Sequence, residues 1–201
     1  MYQVALKVNQ AKDTDTNPAN NPPKLNWKTF FTHTVGLTPA SIPQVDNSVD
    51  IEAQGSLILD AFGVVMAKGS FKVQLGTVID KGADGELDGP AATDTTQDDT
   101  SYQAMALTLG KNAFTGASPV EVFIGVGGEL EDNPGGTSTP TNYSDDQLNL
   151  ESGVGFHATL DELSLVTLKN NNKTPTNATD DKSYLGLDLS GLSAELLGIG
   201  G

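Results

Sequence analysis

Along much of this chain, apolar residues recur at every second position. Val49, Ile51, Ala53, Gly55, Leu57 and Leu59 alternate with polar or exposed positions. Leu148, Leu150, Val154, Phe156, Ala158 and Leu160 do the same, with Ser152 as the weak member. Shorter runs follow the same rule: Phe71, Val73 and Leu75; Val120, Val122, Ile124 and Val126; Leu185, Leu187 and Leu189. A period of two sends successive side chains to opposite faces of a strand, giving one apolar face and one for solvent. Leu160, Leu163 and Val166 could also line a helix, but their β-rich surroundings and their alignment with Phe71–Leu75 favour strand. The expected fold is all-β with little or no helix. Repetitive antiparallel strands would form an elongated β-array or solenoid-like stack, with a β-sandwich as the alternative.

Two kinds of connection separate the strands. Asp60-Ala61 and Thr159–Glu162 are short and read as hairpin corners. The stretches 9–24, 80–100, 129–146 and 170–182 are long and rich in Gly, Pro, Asn, Thr and Asp, which favour turns and irregular backbone. Loops of that length are uncommon in a compact domain unless they bind something or hang free.

The chain also repeats itself. Tyr2-Gln3-Val4-Ala5-Leu6 recurs as Tyr102-Gln103-Ala104-Met105-Ala106-Leu107, and more loosely as Tyr184-Leu185-Gly186-Leu187-Asp188-Leu189. Phe123-Ile124-Gly125-Val126-Gly127-Gly128 is echoed by Leu196-Leu197-Gly198-Ile199-Gly200-Gly201, and Val49-Asp50-Ile51-Glu52 by Leu148-Asn149-Leu150-Glu151. Three pairs in one order indicate tandem units: 2–101, 102–183, and half a unit at 184–201. Met1 stands where the other units carry Ser101 and Ser183, and Gly201 falls where unit two continues. The expectation is a piece of a longer array, or a subunit whose ends a neighbour completes. Open strand edges would then pair with copies of the chain or with adjacent repeats.

Composition removes whole classes of function. The 201 residues include no cysteine, which excludes disulfides, thiolate-bound metals and thiol catalysis. All 11 basic residues are lysines, so bidentate guanidinium clamps are absent too. A net charge of −15 opposes binding to nucleic acid or to an anionic membrane surface. No apolar run has the length of a membrane span, so no membrane insertion is expected.

The acidic loops are the candidates for metal. Asp80, Asp84 and Asp88 sit in the Gly-rich stretch Asp80-Lys81-Gly82-Ala83-Asp84-Gly85-Glu86-Leu87-Asp88-Gly89. Calcium takes six to eight oxygens from carboxylates and carbonyls, and glycine permits the tight turns. The spacing is not that of an EF-hand, so the alternative is a solvated acidic loop. Asp94, Asp98 and Asp99, matched by Asp180 and Asp181 in the next unit, read better as Asx-type turns. Glu129, Glu131, Asp132, Asp145 and Asp146 read as solubilising charge.

Catalytic patterns are missing. His33 and His157 each stand alone, and the alternation around His157 points it to solvent. No nucleophile elbow, zinc-binding helix, phosphate loop or dinucleotide fingerprint occurs. Glu52 and Glu151 read as equivalent exposed strand positions rather than a carboxylate pair for glycoside hydrolysis. Trp27, Phe30 and Phe31 form the one aromatic cluster, which could stack on a sugar but more commonly fills a core. Asn142, Asn172 and Asn177 open glycosylation sequons in loops.

In its Ser-Tyr strand openings, its Gly-Val-Gly-Gly and Gly-Ile-Gly-Gly endings and its acidic loops, the chain resembles tandem repeats of very large secreted, adhesin-like bacterial surface proteins. That resemblance implies an extracellular or cell-surface location, a stalk or matrix role, and calcium as the ion. The function expected is a non-enzymatic structural repeat segment. The alternative is a carbohydrate-binding module of an adhesin, with surface glycans held around Trp27.

Overall fold

The computed structural model describes residues 1–12, 22–33, 36, 44–83, 85, 99–131, 146–170 and 182–199, and the structural statements that follow concern these. The alternating runs form strands, as their period requires. In chain order they are β1 (Tyr2–Val8), β2 (Val49–Ala61), β3 (Val65–Asp80), β4 (Thr100–Gly110), β5 (Val120–Val126), β6 (Glu129–Glu131), β7 (Gln147–Asn149), β8 (Val154–Leu160), β9 (Glu162–Asn170), β10 (Lys182–Ser190) and β11 (Ser193–Leu197). Helix is confined to α1 (Trp27–Phe30) and a 3-10 turn at Phe31–His33. The chain is all-β and antiparallel, with little helix and no closed barrel.

Nine strands make one sheet, while β6 and β7 pair with each other separately. β2 lies between β1 and β3. On its other side, β3 meets β5 along its first residues and β4 along its last ten. β8 lies between β5 and β11, and β9 between β4 and β10. Thus β4 with β5, β8 with β9, and β10 with β11 act as two-part strands, and each strand line lies beside its neighbour in the chain. Because every pairing is antiparallel, β4 and β10 run in one direction and β1 runs opposite to both.

The short connections differ from each other. The first corner falls after Asp60-Ala61, which are the last paired residues of β2: Ala61 pairs with Val65, and in the three-residue turn Phe62-Gly63-Val64 both Phe62 (φ 58°) and Gly63 (φ 67°) are left-handed. Val64 N–H donates to Ala61 O at 3.1 Å, and Asp60 Oδ1 accepts from Gly63 N–H at 2.8 Å. The second, Thr159–Glu162, is not a hairpin corner. Asp161 is one extra residue between β8 and β9, and the chain continues along the same line. Neighbouring strands break at the same level, β4 from β5 after Gly110 and β10 from β11 at Gly191-Leu192. Lys111 N–H donates to Asp161 O at 2.9 Å, and Asp161 N–H to Gly191 O at 3.3 Å. Partners on both sides therefore hold the extra residue as a bulge. The alternation at 148–160 also splits, into β7 and β8, with a turn closed by Gly153 N–H to Leu150 O at 2.9 Å.

The tightest packing lies on one side of the sheet at its β5 end. Met66 and Phe123 are register partners and both are fully buried. The backbone just beyond β5 folds over them. A Cβ on Gly128 would overlap Met66 Cε and the Phe123 ring, so a larger residue there would have to displace these two buried side chains.

Candidate functional site: an uncovered apolar sheet face

Residues directly opposite each other on paired strands share a face, so the register sorts the side chains. Leu6, Ala53, Val73, Leu107, Leu165 and Leu187 form one row across six strands. Val8, Ile51, Leu75, Met105, Thr167 and Leu185 form another on the same face. Beyond the bulge line the face continues through Leu59, Ala67, Val122, Ala158 and Ala194, then Ala61, Val65, Ile124, Phe156 and Leu196. Few ionisable residues interrupt it: Lys169 lies near the end of β9, and Asp50, at the register shift that opens β2, lines the same surface as Leu75, Met105 and Thr167.

This face should be buried, yet much of it is open. Leu187 is 61% exposed, Ile124 49% and Phe156 42%. Among the described residues no second layer covers it. Single exposed apolar residues are ordinary, but a contiguous apolar face of this extent marks an interaction surface.

The opposite face carries the charge. Glu52 is buried on β2 and accepts from Lys7 Nζ on β1 and, at 2.7 Å, from Gln74 Nε2 on β3. Lys7 reaches Oε1, while Lys72 Nζ stands 3.3 Å from Oε2, the oxygen that Gln74 also reaches. Burial pushes the Glu52 carboxyl up, but the Lys7 hydrogen bond and the charges of Lys72 and Lys7 outweigh it and hold the group below its ordinary value. Glu151 lies exposed in the turn after β7, so the two glutamates are not equivalent strand positions.

His157 does not point freely to solvent either. It lies on the polar face with its side chain 14% exposed, and its ring bridges two carboxylates. Nε2 stands 3.2 Å from Glu121 on β5, and Nδ1 stands 3.0 Å from Glu195 on β11. Lys68 lies 3.6 Å from Glu121. His33 closes the 3-10 turn far along the chain from this group.

Of the calcium candidates, Asp80 ends β3 in an exposed position, and its Oδ1 accepts from Gly82 N–H at 3.3 Å. Asp84 and Asp88 lie outside the described residues, as do Asp94, Asp98, Asp132, Asp145, Asp180, Asp181 and the three sequons. Among the described residues no three of His, Cys, Asp and Glu gather in a metal-holding group. Glu131 on β6 accepts from Asn149 on β7 at 2.7 Å, a structural use of one acidic residue.

Trp27 packs in a cluster, with ring centroids 6.1 Å from Phe30 and 6.3 Å from Phe31. Its Nε1–H donates at 3.0 Å to Oδ1 of Asn9, which is almost wholly buried. Asn9 Nδ2 donates to Leu25 O and Asp46 O, both at 2.8 Å, and so ties Leu25 and Asp46 to the end of β1. Asn9 gave no signal in the sequence, because its partners come from 16 and 37 residues away. No family model, no curated protein and no solved structure matches this chain.

Proposed function

We propose that this chain is a non-enzymatic structural repeat segment of an extracellular surface or filament-forming protein, continued by other strands at the two open edges of its sheet. One observation carries the reading. Among the described residues, β1 pairs only with β2, while β10 and β11 pair only with β9 and β8. An edge strand offers a row of backbone N–H and C=O groups that template another strand. Copies of the chain, or adjacent repeats, are the partners such edges fit. The acidic loops keep the assembly soluble, and calcium at Asp80, Asp84 and Asp88 is the ion that would stiffen it. Surface glycans at Trp27 receive less support, because the indole is occupied in packing and in its bond to Asn9.

Light scattering over a concentration series, with electron microscopy, tests the edge reading. Open-ended growth into thin filaments is expected. A variant with Ala5→Lys on β1 and Gly186→Lys on β10 puts charge on both edges, and a Cβ at Gly186 meets nothing within 4 Å. Growth should stop in that variant. A single finite species indifferent to these lysines would refute the proposal.

A further inference from the structure

We infer that the apolar face is the inner face of a two-sheet sandwich whose second sheet is another copy of this chain. The inference is independent of edge pairing and concerns the perpendicular direction.

Size is the first argument. Six strand lines about 4.8 Å apart, 7 residues long in β1, 16 in β3 and averaging about 14, at roughly 3.4 Å per residue give a face of roughly 1,100 Å². A stable interface takes roughly 800 Å² from each partner, so one copy suffices to cover another. Composition is the second. The rows Leu6 to Leu187 and Ala61 to Leu196 hold only aliphatic and aromatic residues, like a domain core cut in half. Two such sheets interdigitate about 10 Å apart, and a twofold axis makes one face complementary to itself.

Other occupants fit less well. The stretches 13–21, 86–98, 132–145 and 171–181 carry Leu87 and Tyr143 as their only large apolar residues, and 34–43 adds just Val35, Leu37 and Ile42. These are too few to cover the face. A bilayer interior does not accept open sheet edges, and anionic headgroups repel a chain of net charge −15.

The test uses the edge-charged variant (Ala5→Lys, Gly186→Lys), in which strand addition is blocked and face pairing is not. Its mass in solution should be twice the 20.9 kDa of one chain. Adding Ile124→Lys and Phe156→Lys places charge on interior strands of the face, at side chains already exposed in one copy. The mass should fall to one chain while the far-ultraviolet circular dichroism stays that of a β protein. Because the chain has no cysteine, a single Leu75→Cys supplies a second readout. Its thiol should react with maleimide more slowly as protein concentration rises. A monomeric edge-charged variant, a dimer that survives the face lysines, or labelling independent of concentration would each overturn the inference. A monomer that takes up detergent or fatty acid would assign the face to lipid. If edge growth fails while the dimer holds, only the filament reading falls.

Discussion

Tyr102 and Tyr184 meet edge to face across β9, their ring centroids 5.8 Å apart and their planes at 70°. Each tyrosine opens its strand line after an acidic entry, Asp98-Asp99-Thr100-Ser101 or Asp180-Asp181-Lys182-Ser183. Their strands run in the same direction with one strand between them. Tyr184 pairs with Leu168, which pairs in turn with Ala104, so the two rings meet on a diagonal across β9.

The phenol of Tyr102 reports on that contact. Burial pushes its pKa up, and Tyr184 beside it adds to the shift, with Asp80 contributing less. A raised phenol stabilises the fold below the ordinary tyrosine value, and the stabilisation is lost as pH climbs through the raised one. Tyr184→Phe should let Tyr102 ionise at lower pH, read as phenolate absorbance in an alkaline titration. An unchanged titration would show that the ring contact does not couple the two groups.

Asn9 should be the most sensitive polar residue. Asn9→Asp replaces the amide nitrogen and its two N–H donors by a carboxylate oxygen facing the carbonyls of Leu25 and Asp46. The cost is about 1–3 kcal/mol. Trp27 is the only tryptophan, so its fluorescence should move to longer wavelength as its bond to Asn9 loosens. No spectral change on substitution would place the indole outside this network.

Gly110 holds the bulge line. Its φ is 91°, and a Cβ there would stand 2.1 Å from the backbone oxygen of Asp161. Gly110→Ala should destabilise by about 1–3 kcal/mol from the backbone conformation alone, with the clash adding to it. In a chain of this size that lowers Tm by roughly 2–4 °C per kcal/mol. Gly116→Ala, where φ is 85° but a Cβ meets nothing within 4 Å, is the control for the clash and should cost less.

Acid should act through Glu52. Its carboxyl titrates below the ordinary value, so the stabilisation it gives is complete above about pH 4.5 and fades as pH falls through the lowered value. Glu52→Gln should lower stability at neutral pH and flatten its acid dependence. Denaturant melts at pH 7 and pH 3 measure both effects. Parallel acid dependence in the two proteins would assign the acid sensitivity to other carboxylates.

Calcium is expected to raise Tm by several degrees at millimolar concentration, since an ion at about a hundredfold over its Kd adds roughly 2.7 kcal/mol. Chelator should reverse the rise, and Asp84→Ala with Asp88→Ala should abolish it. A melt indifferent to calcium would leave the 80–89 loop as solvating charge.

Strand positions were legible in the sequence because alternation is local: the runs Ile51–Leu59 and Phe71–Leu75 reveal both strand and face without any partner, whereas Val49, assigned to the same face, pairs with Gly76 across a register shift. Partnership was not legible. His157 is held by residues 36 and 38 positions away, and Lys7 reaches Glu52 across 45, distances over which periodicity carries no information. The corner expected at Thr159–Glu162 failed for the same reason. A short polar break looks alike whether the chain reverses or bulges, and the breaks after Gly110 and at Gly191 decide which. The apolar face was legible as a face, but its lack of cover depends on the whole sheet.

Each strand line lies beside the one that precedes it in the chain, starting from the tight turn at Phe62-Gly63. A sheet in that order can grow as a zipper closes, every new strand settling on the edge left by the last. The surface that receives the next strand of the same chain is the surface that would receive the first strand of another. For a protein of this kind, folding and polymerisation would be one reaction, divided only by where the peptide bonds stop.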